Sequence, residues 1–348
     1  MKRFRSLRHL AASALLVLAG CGRHEPDAVP AAERLPDAGG VPVRVRLQLD
    51  WYPEIESGGY YQAWARGFYA AQGLAVELLP GQPGEQVKET VAEGRADIGA
   101  TDGNGVIVAI SRGLPLVIVG AEMQRNPQAL MFHRTRPLNS FNDLDGRVLI
   151  ASAGAAWVDF LQRGQRVRFD LTPVGNNMAN FIADESLVRQ CFATQEPYLA
   201  EKMGAQVGIL MLADAGYDPY RVIYTSRDYA AKHPEVLRRF LEATIAGYED
   251  LIAGDPAPAF AAVSAANPSM DSGLMQHSLG QMRALRLVQG SSAEGERTGR
   301  IIRERIAKQI EQLQELGLLA KPLSVDDVAR FDLLPVIGVS SRKAPPSP

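Results

Sequence analysis

Between Val43 and Asp50 the chain reads VRVRLQLD, apolar at every second position, the period of a strand with one buried face. Ser57 or Gly58 then opens a helix expected to run to about Ala71, with Gly73 ending it and LAVELL following as a strand. The alternation continues with a helix in GEQVKETVAEG closed by Gly94, a strand in ADIGA, a helix in VIVAISRG and a continuous apolar strand in LPLVIVGAEM. After Asn142 the pattern restarts. GRVLIASAG reads as a strand and small-residue turn, AAWVDFLQRG as a helix, and RQCFATQEPYLAEKMG as strand, loop and helix. Pro234 suits the first turn of a helix with Val236, Leu237, Phe240, Leu241, Tyr248, Leu251 and Ile252 on one face. A last helix carries Ile302, Ile306, Ile310 and Leu313 and stops at Gly317.

Strands alternating with helices predict an α/β fold with largely parallel sheets. Ligands in such sheets sit beyond the carboxyl ends of the strands, at helix N-termini. Four segments share that address: Asp50-Trp51-Tyr52, Thr101-Asp102-Gly103-Asn104, Ser152-Ala153-Gly154 and Gln195-Glu196-Pro197-Tyr198. Two precede the restart after Asn142 and two follow it, which predicts a cleft between two lobes.

Only 7% of the residues are aromatic, yet Trp51, Tyr52, Tyr60, Tyr61, Trp64 and Phe68 crowd around Gly58-Gly59, beside Asp50, Glu54 and Glu56. A planar heteroaromatic ligand would use such a stretch. Trp51 with Tyr60 or Tyr61 offers ring faces, and Asp50, Glu54 or Glu196 offers acceptors for ring N–H and amino groups. Gly58 and Gly59 would let the helix start approach the ligand closely. Trp64, Phe68 and Tyr69 lie deeper and read as core, and one of Tyr60 and Tyr61 reads the same way. Glu196, before Pro197, reads equally as a helix-start carboxylate, and Asp102 and Asn104 as helix caps. The acids Asp50, Glu54, Glu56, Asp102, Glu122 and Glu196 argue against an anionic ligand. Against that stands Ser152-Ala153-Gly154-Ala155, either a tight turn or a set of N–H groups able to hold a phosphate or carboxylate.

Composition and the two ends add less. A chain of 348 residues with 46% hydrophobic side chains suffices for two globular domains, and a net charge of −2 gives no electrostatic reason to expect a nucleic acid partner. Lys2, Arg3, Arg5 and Arg8 precede the apolar run Leu10 to Leu18, the layout of a secretory signal over 1–20. Leu18-Ala19-Gly20-Cys21 resembles the lipobox of bacterial lipoproteins, which implies a lipidated Cys21 at the outer face of a membrane; an ordinary signal with a chance cysteine is the other reading. Residues 21–42 read as the lipid site and a flexible tether, and 339–348 as a disordered tail. Cys191, the only other cysteine, reads as a small buried hydrophobe.

The run LDWYPE…GGYYQAWARGFYAAQGLAVELLPG, then GRADIGATD…AISRGLPLVIVGA, TQEPYLAEKMG and DPAPAF, resembles periplasmic substrate-binding proteins of ABC transporters. The similar branch includes nitrate, taurine and sulfonate binders, thiamine-pyrimidine-precursor binders and a yeast-type pyrimidine synthase. That resemblance implies a two-lobed periplasmic binding protein fold: 43–132 as the first part of lobe 1, 133–222 as lobe 2, and 223–338 as the rest of lobe 1. The crossings are expected near 132–136 and 220–226. It also implies permease and ATPase subunits as partners, a small-molecule ligand and no cofactor. Expected ligand residues are Asp50, Trp51, Glu54, Tyr60, Tyr61, Asp102, Asn104, Ser152, Gly154, Glu196 and Tyr198. The synthase's histidine falls at Gly105 here and its cysteine run near Tyr217-Asp218-Pro219-Tyr220, so neither chemistry is expected. No His-x-x-x-His or Cys-x-x-Cys metal spacing and no Gly-x-Ser-x-Gly elbow is present. The chain therefore reads as a binding protein; an enzyme of pyrimidine metabolism and a receptor-linked sensor are the readings from other classes.

Overall fold

The computed structural model describes residues 40–82, 85–152, 154–173 and 178–335. The signal segment, Cys21, most of the tether, Ala153 and the tail lie outside the described residues. From Val43 the chain lays down β1 (Val43–Leu49), β2 (Leu74–Leu79), β3 (Ile98–Asp102) and β4 (Leu116–Met123). It then crosses to a second sheet and forms β5 (Gln128–His133), β6 (Val148–Ala151), β7 (Asp170–Pro173), β8 (Val188–Phe192) and β9 (Val207–Met211). It returns to the first sheet as β10 (Arg221–Ser226).

The strand orders are β2-β1-β3-β10-β4 and β7-β6-β8-β5-β9. The two sheets therefore repeat one topology. Each holds one antiparallel strand, second from an edge: β10 between β3 and β4, and β5 between β8 and β9. Both antiparallel strands are the first laid down after a crossing, so they begin at the sheet edge where the others end.

Side chains alternate between the two faces of each sheet, as the strand period requires. In β4, Val117, Val119 and Met123 join one core while Leu116, Ile118 and Ala121 join the other. In β5, Leu130 and Phe132 face one core and Ala129 and Met131 the opposite one. Helices cover both faces, which keeps a mostly parallel sheet out of water. The helix Pro234–Ala253 buries the stripe read from the sequence, from Val236 to Leu251, and Arg303–Glu315 buries Ile306, Ile310 and Leu313.

Three expectations need correction. The crossings fall at 124–127 and 212–220, because β5 pairs with β8 and β9 while Arg221–Ser226 is an inner strand of the first sheet. The first helix spans Gly58–Ala65 and breaks at Gly67, whose φ of 70° is left-handed, before a short turn Phe68–Ala71. Trp64, expected in the core, is 55% exposed.

Arg305, from the helix Arg303–Glu315, ties the two crossings together. Its guanidinium donates to the carbonyls of Gln124 and Asp218 and to Glu296, and lies 4.0 Å over the Tyr220 ring. Asp218 in turn accepts the backbone N–H of Asn126 at 2.8 Å.

Candidate ligand cleft

β1 delivers Asp50 and the aromatic pair to the strand ends of the first lobe. Trp51 and Tyr52 are 45% and 44% exposed and meet edge to face, with ring centroids 5.5 Å apart. Their backbone is held from two sides. Gly81 donates its N–H to the Trp51 carbonyl at 3.0 Å, and the Asn267 amide donates to the Pro53 carbonyl at 2.9 Å. The aromatic faces are thus mounted on a fixed loop instead of packing into the core.

Behind the pair lies an ion cluster that the sequence reading missed in part. Arg221, at the amino end of β10, donates from Nη2 to Asp50 at 2.8 Å and from Nε to Glu122 at 2.5 Å. Asp50 also accepts the Thr101 hydroxyl at 2.8 Å. Burial works against the charge on Arg221, but Asp50 and Glu122 together hold its pKa well above the ordinary value. Burial pushes the Glu122 carboxyl up, against the pull of Arg221. Across the lobes, the Arg221 guanidinium lies 5.8 Å from the centre of the Phe192 ring. Arg221 heads β10 and so escapes a reading of strand carboxyl ends; an arginine before the apolar run VIYT is its signal in the sequence.

A second contact joins the lobes. Gln195, just past β8, donates from Nε2 to Glu54 at 2.7 Å and to Glu56 at 2.8 Å. Burial, and then the charge of Glu56, push the Glu54 carboxyl well above the ordinary range; burial raises Glu56 as well.

The remaining expected residues go elsewhere. Tyr60 and Tyr61 are core residues, Tyr60 with its edge against Tyr248 at 5.3 Å, and neither ring is free to stack on a ligand. The glycine pair explains this. A Cβ on Gly59 would lie 2.2 Å from the Tyr248 ring, and one on Gly58 2.8 Å from Ile55. The glycines admit the long helix, not a ligand. Glu196 turns back to accept the N–H of Phe192 at 2.8 Å, so it braces its own loop. Asp102 caps the helix Gly103–Ser111 through Gly105 N–H at 3.0 Å and accepts from Asn126. Asn104 is fully buried, against the Tyr217 hydroxyl. Tyr198 stacks on His277 at 4.7 Å. Ser152 donates its N–H to Gln190 at 2.7 Å, and Gly154 is exposed with φ 77°.

Histidine and cysteine chemistry is not gathered at the strand ends. His133 is buried, 2.7 Å from the Phe181 carbonyl, and His233 lies against Tyr229. Cys191 is buried, and burial pushes its thiol well above the ordinary value. Among the described residues no group of three or more His, Cys, Asp or Glu side chains could hold a metal ion. A surface depression of about 710 Å³ lies along Ala307, Ile310, Glu311 and Val325, and none of its lining residues belongs to the strand ends.

Comparison with known proteins agrees with this architecture. The family model described as NMT1/THI5 like matches residues 54–259. The riboflavin-binding protein RibY of Chloroflexus aurantiacus is 28% identical over 259 residues, covering 71% of this chain and 74% of that protein. A formylaminopyrimidine-binding protein of Halalkalibacterium halodurans is 27% identical, covering 60% and 66%. A 4-amino-5-hydroxymethyl-2-methylpyrimidine phosphate synthase of Saccharomyces cerevisiae is 24% identical, covering 62% and 69%. Among solved structures, the periplasmic aliphatic sulphonate binding protein SsuA of Escherichia coli superposes with a TM-score of 0.61 at 15% identity, over 82% of this chain and 91% of that one. The fold is that of the periplasmic binding proteins.

Proposed function

The chain belongs to the NMT1/THI5 like family, and we propose that it is the extracytoplasmic solute-binding lipoprotein of an ABC importer. Its ligand is a small planar heterocycle, a pyrimidine or flavin-like compound, held between the two lobes. One observation carries the reading: a half-exposed Trp51–Tyr52 pair stands beside an arginine whose guanidinium is already engaged by two carboxylates. Ring faces are on offer there, and Arg221 is not left over for an anion. An aliphatic sulfonate or nitrate would need such a donor, so the sulfonate-type reading is the weaker one despite the shared fold. The relatives named for riboflavin and formylaminopyrimidine support the heterocycle.

The synthase-named relative keeps an enzyme as the second reading. Against it, His133, His233 and His277 are each packed on an aromatic ring. Mass spectrometry of the compound released from freshly purified, denatured protein tests the proposal. A flavin or pyrimidine recovered unchanged supports it; a sulfonate, or a turnover product, overturns it.

A further inference from the structure

Gln195 belongs to the second lobe, and the two glutamates it reaches belong to the first. We propose that Gln195 is the clasp of the closed cleft and that it closes on a Glu54–Glu56 pair sharing one proton, so that lobe closure takes up a proton. The inference rests on the lobes closing, as the proposed function requires, but not on the identity of the ligand.

A side-chain amide has two N–H hydrogens, and here one nitrogen lies within 2.8 Å of an oxygen from each carboxylate. The clasp is held in place: Gln195 is 7% exposed, and its backbone N–H donates to the Phe192 carbonyl at 3.1 Å. What the amide lacks is charge. Two carboxylates converging on a neutral group repel each other, and what offsets this beyond Gln195 (the Thr194 hydroxyl, the Glu56 backbone and the Arg221 charge) acts on Glu56, leaving Glu54 as the group that holds the proton. At the end of β1, Asp50 is another acid. The helix Glu196–Lys202 contributes Glu196, acidic again. Arg221 of β10 is the nearby cation that favours an ionised Glu56, but its hydrogen bonds go to Asp50 and Glu122. The Tyr248 hydroxyl donates to the Glu56 main-chain carbonyl at 3.1 Å, not to its carboxylate. The helix Ser272–Ala284 offers Ser278, which bonds the Thr194 carbonyl, while its His277 stacks on Tyr198. The helix Ala257–Ala266 has no titratable side chain. The fully buried Thr194 hydroxyl lies against Glu56, where it favours the ionised carboxylate.

One proton relieves the pair. On closing, one carboxylate takes a proton from solvent as an O–H bond, and no other bond changes. The pair then carries one negative charge and a hydroxyl hydrogen that can serve the other carboxylate. On opening, water reaches both groups and the proton leaves. The closed form therefore binds more protons than the open form. Falling pH favours closure, by up to about tenfold in the closed-to-open ratio per pH unit between the open and closed pKa values.

Small-angle scattering of the ligand-free protein tests this between about pH 8 and about pH 5, above and into the carboxylate range. The wild type should contract as the pH falls. Glu54→Gln, whose amide replaces the protonated acid and keeps an acceptor for Gln195, should be compact throughout. Gln195→Leu should be expanded throughout and show no pH course. Circular dichroism establishes that each variant is folded, and if Gln195→Leu fails to fold the Glu54→Gln comparison decides alone. A pH-independent radius of gyration for the wild type overturns the proposal. So does a Glu54→Gln variant that follows the wild-type pH course, or a folded Gln195→Leu variant as compact as the wild type.

Discussion

Replacing Arg221 with methionine keeps the bulk of the side chain and removes the charge between Asp50 and Glu122. The consequences differ for the two acids. The Asp50 side chain is 20% exposed and keeps the Thr101 hydroxyl, so water and one hydrogen bond replace part of what it loses. Glu122 is 1% exposed and is left with the Tyr248 hydroxyl at 3.4 Å. Breaking a buried ion pair by removing one partner costs about 3–5 kcal/mol. That is a large share of the roughly 5–15 kcal/mol by which a domain is stable. Urea unfolding at neutral pH should show the loss as a lower midpoint with an unchanged slope. The pH course is the sharper test. Without Arg221, burial and then the Asp50 charge act on Glu122 against no cation, and raise its folded-state pKa further above the unfolded value. The folded variant then holds that proton more tightly than the unfolded chain. Its stability is fullest below the ordinary carboxylate range and is lost as the pH rises through the raised value. Adding Glu122→Gln should restore most of the loss at neutral pH. A deficit below about 1 kcal/mol, the worth of an exposed pair, or one that does not change with pH, would refute this account of the cluster.

Trp51→Ala should weaken binding of a flavin or pyrimidine probe by at least about tenfold, or ~1.4 kcal/mol, while ligand-free thermal unfolding barely shifts; unchanged affinity in calorimetric titration sinks the site. Gly59→Ala drives a methyl group into the Tyr248 ring and should cost about 1–3 kcal/mol of stability with ligand affinity retained in the folded fraction. An equally stable variant would mean the helices do not meet as described. Cys21→Ser should leave the protein without lipid and free of membranes, and persistent membrane partitioning would remove the anchor.

Much of the architecture is legible because the strand period and the helix period differ, and VRVRLQLD or the Val236–Leu251 stripe fits only one of them. Strand order was less accessible. Nothing in VRVRLQLD or RVIYTS states which strand it will lie beside, and a strand that follows a long connection looks like the connection itself. The segment 220–226 was read as a crossing for that reason. At the candidate cleft, Trp51 and Asp50 are singled out by their place after a strand, and Trp51→Ala tests whether that place is a ligand's. Both Tyr60 and Tyr61 lie in the core, where only one of them is expected, because a glycine pair admitting a helix and one admitting a ligand look alike in sequence. Only the ring of Tyr248, some two hundred positions away, tells them apart.

The placing of β10 has a consequence for how the molecule must be made. The second sheet draws all its strands from one unbroken stretch, 128–211, and can assemble once that stretch exists. The first cannot. Its β3 and β4 are separated by a slot that only Arg221–Ser226 fills, so the amino-terminal strands wait for chain synthesised after the whole of the second sheet. Such non-local pairing is slow to form, since the intervening chain must first be closed into a loop. For the exported protein proposed above, threaded through a membrane channel from its amino end, that delay is useful. The part that enters first is the part least able to fold too soon.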